Sequence, residues 1–153
     1  MKVERTKKAS FTVIGREGST AEGAGFVQRL WQEANAHFEE IAGLVRRDAA
    51  GNPAGFWGAM SDLTRSFLPW ENFETGLYLA GAECRDDAEP PEGWVKWVIP
   101  AYEYLYTEQE SDRTFPEMLQ YLKAHQLSLA GAVHDFTDPC TGKNHLYFPI
   151  RKL

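Results

Sequence analysis

The chain has 153 residues and a mass of 17.3 kDa, which fits one domain with a sizeable hydrophobic core. Its formal net charge of −6 disfavours direct binding of nucleic acid, because an acidic surface repels the phosphate backbone. No apolar run reaches the roughly 18 residues of a membrane span, and no signal peptide is evident. We therefore expect a cytoplasmic protein with free thiols at Cys84 and Cys140, although a disulfide between them stays open.

The first half of the chain predicts one strand, one long helix and two further strands. Residues 10–16, SFTVIGR, have the β-branched and aromatic content of a strand. Apolar residues at three- and four-residue spacing predict a helix over about 25–47. The runs FWGAMSDL (56–63) and GLYLAGAEC (76–84) predict the two strands that follow.

The second half shows the same order of elements. WVKWVIPAYEYLYTE (94–108) predicts a long strand, in which Pro100 marks an edge or a bulge. Residues 111–126 predict a helix with Asp and Thr as cap candidates. The last two strands are expected within LSLAGAVHDF (127–136) and HLYFPIRK (145–152).

Two similar short segments suggest that this order is a duplication. GAMSD (58–62) and GAVHD (131–135) each precede a Leu-Tyr pair in an apolar run. We predict a single α+β domain over 1–153, built from two β-α-β-β units at about 8–88 and 92–153. The units would form an antiparallel sheet with two helices on one face and a cleft at the centre, where pockets are favoured.

Several acidic and aromatic residues are candidates for that cleft. Asp62 and Asp135 are either cleft carboxylates or turn residues that accept backbone N–H groups. Strand alternation directs Glu83 away from the helix-packed face, so it either holds a cation among aromatic rings or is simply exposed at a strand end. Residues 102, 104 and 106 form a tyrosine face, which lines either the cleft or the core.

The sequence gives no support to metal, cofactor or nucleotide chemistry. The four histidines and two cysteines lack the paired spacing of a structural zinc site. His134 and Asp135 are adjacent, so strand geometry points them to opposite faces. A GxSxG nucleophile motif and phosphate-binding glycine loops are missing, so we expect no cofactor.

The segments FTVIGR, LWQEA, GLYLAGAEC, PPEGWVKWVIPAYEY and HLYFPIRK resemble the GyrI-like small-molecule-binding family. This family includes the effector-binding domains of AraC-type and MerR-type multidrug regulators. The resemblance implies a tandem β-α-β-β fold and an aromatic cleft for bulky, often cationic, drug-like molecules. It also implies that some stand-alone relatives hydrolyse cyclopropane-bearing toxins with glutamates.

The resemblance places Tyr104 in the cleft and puts His134 or Asp135 where the family carries a glutamate. Glu83 is then the remaining long-chain carboxylate, and Glu83 and Tyr104 are the candidate catalytic residues. The candidate ligand-binding residues are Trp57, Asp62, Glu83, Trp97, Tyr104, His134, Asp135 and Tyr147.

Three functions follow as hypotheses. The first is binding of amphipathic aromatic compounds, with an aromatic cation as partner. The second is a hydrolase that opens electrophilic rings, and the third is a protein-interaction module of the gyrase-inhibitor type with an unknown partner. Only ten residues precede Phe11, so we expect neither a helix-turn-helix module nor a complete transcription regulator.

Overall fold

A computed structural model describes all residues from 1 to 153 as eight strands and two α-helices. In chain order the elements are β1 (Glu4–Lys8), β2 (Phe11–Ser19), α1 (Phe26–Ala36), β3 (Phe56–Ser61), β4 (Leu77–Cys84), β5 (Val95–Ile99), β6 (Tyr102–Glu108), α2 (Thr114–Ala124), β7 (His134–Thr137) and β8 (Asn144–Lys152). No helix combines the length and apolarity that crossing a membrane requires.

The strands form one sheet in the order β1-β6-β8-β7-β3-β4-β2-β5, and every pairing is antiparallel. The order is symmetric about the β7–β3 pair, because each half contributes a helix and the same arrangement of strands. The predicted α+β class, with an antiparallel sheet and two helices, is confirmed. The structure adds β1 as one edge strand, and the first part of the long predicted strand forms β5, the edge strand at the other end of the sheet.

Two predicted elements differ in extent from those observed. The helix predicted over 25–47 ends at Ala36, where His37 leaves the helical conformation, and continues only as a short 3-10 turn, Phe38–Glu40. Further along, Val45 forms an isolated β-bridge with Cys84. The long strand predicted over 94–108 is divided at Pro100, which has no N–H to continue the pairing.

The matching GA-x-x-D segments do not occupy equivalent places. Gly58 lies inside β3, whereas Gly131 precedes β7, and Gly58 pairs directly across the sheet with Asp135. The Leu-Tyr pairs differ as well, since Tyr78 packs under α1 and Tyr147 packs on the opposite face. The short sequence matches are therefore not repeat-related positions.

The sheet curls strongly around the face that carries no helix. Lys8 on β1 and Glu83 on β4 are five strand positions apart, which is about 24 Å in a flat sheet. Their side chains nevertheless meet at 3.2 Å between Nζ and Oε1. The helix-free face is thus the inner face of the curl, and both helices pack on its outer face.

The two faces carry separate cores. On the outer face, α1 packs on β2 and β4 through Phe26, Leu30 and Ala34, while α2 packs on β6 and β8 through Met118 and Leu122. The inner face is filled by buried aromatic and aliphatic side chains, namely Phe11, Val13, Trp57, Ala59, Leu77, Leu79, Trp97, Ile99, Tyr102 and Tyr104.

Candidate functional site

A cavity of about 850 Å³ lies on the outer face, between α1 and the central strands. Its volume is within the range of ligand sites, roughly 300–1,000 Å³. Four aromatic residues form much of its wall: Trp31 and Phe38 from the helical side, and Phe56 and Trp94 from the sheet side. Such walls supply large apolar area to a planar or bulky ligand.

Asp135 is the single charged residue that lines the cavity. It belongs to β7, and its carboxylate lies on the cavity floor, half-buried between β3 and Tyr78 of β4. Burial raises the pKa of Asp135 to about 6, against hydrogen bonds from the Tyr78 hydroxyl and the Gly58 backbone that lower it. The carboxylate is therefore ionised at neutral pH and is poorly compensated by protein charge.

A hydrogen-bonded chain fixes this carboxylate to the helix above it. The indole Nε1 of Trp31 donates to Tyr78 Oη at 3.0 Å, and Tyr78 Oη donates to Asp135 Oδ2 at 2.8 Å. Burial beside the carboxylate raises the pKa of Tyr78 well above its ordinary value, so the hydroxyl stays a donor. The chain orients Asp135 and joins α1, β4 and β7 at one point.

Gly58 provides the space for the Tyr78–Asp135 pair. A Cβ atom at this position would overlap Tyr78 Oη and both carboxylate oxygens of Asp135, all far inside normal contact distance. The side chains of the pair therefore lie flat against the β3 backbone. Any larger residue at position 58 would have to displace them.

The rim of the cavity is polar but uncharged. It consists of four carboxamides and one hydroxyl, from Gln28, Asn35, Gln109, Asn144 and Thr137. Thr137 Oγ1 donates to Asn144 Oδ1 at 2.6 Å across the β7–β8 pair. The cavity therefore has one negative charge on its floor, aromatic side chains in its walls, and neutral polar groups at its opening.

Glu83 lies away from this cavity, on the inner face, as strand alternation predicts. It is 6% exposed, accepts a hydrogen bond from Trp57 Nε1 at 3.2 Å, and meets Lys8 as described above. Arg46 approaches its other oxygen at 3.8 Å. Glu83 is neutralised by two cations and helps to hold the curl of the sheet.

Tyr104, His134, Trp97 and Tyr147 also face inward. Tyr104 and His134 are fully buried, and burial lowers the pKa of His134 to about 3, so its ring is neutral. Its Nδ1 accepts the Met60 backbone N–H at 3.0 Å. Trp97 Nε1 donates to Glu17 Oε1 at 2.9 Å. Trp97 and Tyr104 belong to the inner core.

Asp62 follows β3 and acts as a turn residue. Its Oδ1 accepts the backbone N–H of Ser66 at 2.9 Å and the Ser61 hydroxyl at 3.1 Å, and its other oxygen meets Thr64. This is the turn alternative that the sequence left open. A separate exposed group, His37, Glu39 and Glu40, has metal-ligand spacing, but exposed acidic groups commonly do.

The face without helices, toward which strand alternation directs Glu83, is closed by aromatic packing, and the cavity lies on the other face. Of the eight predicted ligand-binding residues, Asp135 alone lines the cavity, and Trp57, Asp62, Glu83, Trp97, Tyr104, His134 and Tyr147 lie elsewhere. Sequence reasoning missed Trp31, Tyr78 and Trp94. Tyr78 carried a usable signal, since strand alternation puts it on the face opposite Glu83, which is the face that the helices cover.

The chain resembles known proteins in its three-dimensional fold and not in its sequence. No family model matches the chain, and the curated protein sequences contain no significant match. Among solved structures, SAV2435 bound to tetraphenylphosphonium is 17% identical, with a TM-score of 0.66 over 99% of this chain and 94% of that chain. The EcmrR C-terminal domain is 11% identical, with a TM-score of 0.66 over 99% and 98% of the two chains.

Two further matches are a longer EcmrR chain and one other protein. In an EcmrR–DNA complex, this chain spans 58% of the EcmrR chain. A protein from Listeria innocua described as a hydrolase is 12% identical, with a TM-score of 0.56 over 97% of this chain and 91% of that chain. The chain shares its fold with these structures, one of which is the C-terminal domain of EcmrR.

Proposed function

We propose that this protein binds bulky aromatic cations in the cavity between α1 and the central strands. The observation that carries the proposal is the single carboxylate of Asp135 on the floor of an aromatic-walled cavity. A cation in this position gains both from the ring faces and from a charge that lacks a protein counter-ion. The fold shared with SAV2435, a structure bound to tetraphenylphosphonium, supports the same ligand class.

Apolar contact supplies most of the affinity in this proposal, and Asp135 supplies selection for positive charge. At an effective dielectric constant near 20, two unit charges about 5 Å apart attract by about 3 kcal/mol. Loss of this attraction corresponds to a decrease in affinity of roughly 100-fold. Neutral ligands of the same shape lack this charge–charge attraction and bind correspondingly more weakly.

Tryptophan fluorescence tests the proposal, because Trp31 and Trp94 line the cavity. Tetraphenylphosphonium is titrated against wild type and the Asp135→Asn variant, with neutral triphenylphosphine oxide as a second ligand. We expect the variant to bind the cation 10- to 100-fold more weakly and to bind the neutral compound unchanged. Glu33→Gln is the matched control, since Glu33 is exposed on α1 and does not line the cavity. Equal affinity for both ligands would contradict the proposal.

A hydrolase is the second candidate, and the pairing of Asp135 with Tyr78 favours it. A carboxylate with a pKa of about 6 is suited to act as a general base at neutral pH, with the Tyr78 hydroxyl as a nearby donor. Turnover of an electrophilic cyclopropane substrate, lost in Asp135→Asn and kept in Glu83→Gln, would select this function. Unaltered substrate after prolonged incubation would leave binding as the function.

A further inference from the structure

We propose that the cavity selects monocations that carry at least one N–H bond over cations whose charge is wholly enclosed by carbon. This inference rests on the proposed binding function and narrows its ligand class. Three features of the structure support it: the depth of the carboxylate, the shortage of hydrogen-bond donors around it, and the absence of a second charge on the cavity wall.

The Asp135 carboxylate is recessed rather than projecting. Both of its oxygens lie against Gly58, in space that a single Cβ atom would fill. An ammonium N–H can reach such an oxygen at about 2.8 Å as a charge-assisted hydrogen bond. The outer carbon atoms of a carbon-enclosed cation come no closer to the carboxylate oxygen than about 3.5–4.0 Å. Its central charged atom lies farther still from that oxygen. The attraction at that larger distance is correspondingly weaker.

The carboxylate also needs a donor when a ligand displaces solvent. Within the protein it accepts hydrogen bonds from the Tyr78 hydroxyl and the Gly58 backbone N–H, and no Lys, Arg or His side chain lines the cavity. When a ligand displaces water from the Asp135 carboxylate oxygens and brings no hydrogen-bond donor of its own, the lost hydrogen bonds reduce the free energy of binding. A ligand with N–H bonds replaces that donor, whereas a quaternary ammonium or phosphonium ion cannot. The aromatic walls attract both kinds of cation, so the selectivity between them comes from the Asp135 carboxylate on the floor.

The rest of the lining limits the ligand to one positive charge. The rim residues are neutral carboxamides and a hydroxyl, as described above. Glu40, which lies beside Trp94, already accepts a hydrogen bond from Trp94 Nε1 at 2.8 Å and lies 3.7 Å from Arg16. A second cationic group would therefore find no free carboxylate, whereas a neutral polar group would find hydrogen-bonding partners.

A ligand series with one aromatic body and a decreasing number of N–H bonds tests the inference. Protonated desipramine has two N–H bonds, protonated imipramine has one, and N-methylimipraminium has none. Affinities are measured by tryptophan fluorescence and calorimetry at about pH 7.5, with tetraphenylphosphonium alongside. We expect desipramine and imipramine to bind at least ten-fold more tightly than the quaternary compound. Ten-fold corresponds to about 1.4 kcal/mol.

Two variants locate the effect at the carboxylate. Asp135→Asn should abolish the preference within the series, and the control Glu33→Gln should keep it. Asp135→Glu, which carries its carboxylate further into the cavity, should raise affinity for the quaternary compound and reduce the preference. The wild-type series is informative even if a variant does not fold.

The outcomes separate this inference from the proposed function. If the quaternary compound and tetraphenylphosphonium bind wild type as tightly as the amines, and Asp135→Asn weakens all of them equally, the inference is overturned and the function stands. If no cation binds, or none depends on Asp135, both fail. A preference for N–H cations that disappears in Asp135→Asn supports both.

Discussion

Replacement of Asp135 by Asn should stabilise the empty protein at neutral pH and lose that effect in acid. Burial raises the pKa of this carboxyl from its ordinary 3.8 to about 6, so the folded state binds the proton more tightly than the unfolded state. The free energy of unfolding therefore falls as the pH rises between these two values, and above them the full penalty is present.

The structure sets the size of this effect. The pKa difference is about two units, and each unit is worth 1.36 kcal/mol, which gives at most about 3 kcal/mol. The carboxylate opens onto a cavity and keeps the Tyr78 hydrogen bond, so we expect a net gain of about 1–2 kcal/mol near pH 8. Below about pH 4 the wild-type carboxyl is neutral, and the difference between the two proteins should disappear.

Urea denaturation followed by tryptophan fluorescence measures the difference, at several values between pH 4 and pH 8. Equal m-values for the two proteins would show that the compared transitions are equivalent. The Glu33→Gln variant removes an exposed charge of the same sign and should follow wild type. A wild-type-to-Asn difference that stays constant across this range would refute the reasoning, because no buried carboxyl would then be titrating.

Other perturbations test the remaining contacts. Gly58→Ala should force the Tyr78–Asp135 pair off the sheet, costing about 1–3 kcal/mol by urea denaturation and most of the cation affinity; unchanged binding would show that the pair is not the floor. Tyr78→Phe removes the donor that lowers the Asp135 pKa, so the acid limb of tetraphenylphosphonium binding should move to higher pH. In wild type that binding should weaken below about pH 6, and a flat profile would exclude Asp135 as the anion. Glu83→Gln should lower stability by about 1–3 kcal/mol through Lys8 while leaving affinity intact.

The sequence predicted the local elements and the fold class, because strand alternation and helical spacing act over a few residues. It also placed Glu83 on the face without helices and left the turn role of Asp62 open. These features need only neighbouring residues, or a family resemblance, to be inferred.

The location of the cavity depends on contacts between distant residues. Tyr78 and Asp135 are 57 positions apart and meet through the β3–β4 and β3–β7 pairings, whose registers the sequence does not display. The inward curl depends on the packing of aromatic residues against one another and on Lys8 reaching Glu83. The sequence showed an abundance of aromatic residues but not which of them would be core and which would line a site.

Because the inner face of the sheet is filled, the floor of the cavity is stiffer than its roof. Its floor consists of paired strands backed by fully buried rings such as Trp57 and Tyr104, and close-packed interiors resist deformation. Its roof is α1, a helix of three turns joined to the floor by the Trp31 indole. We expect a bulky guest to be accommodated by displacement of α1 rather than of the sheet, so occupancy of the site would be reported at the protein surface by the position of this one helix.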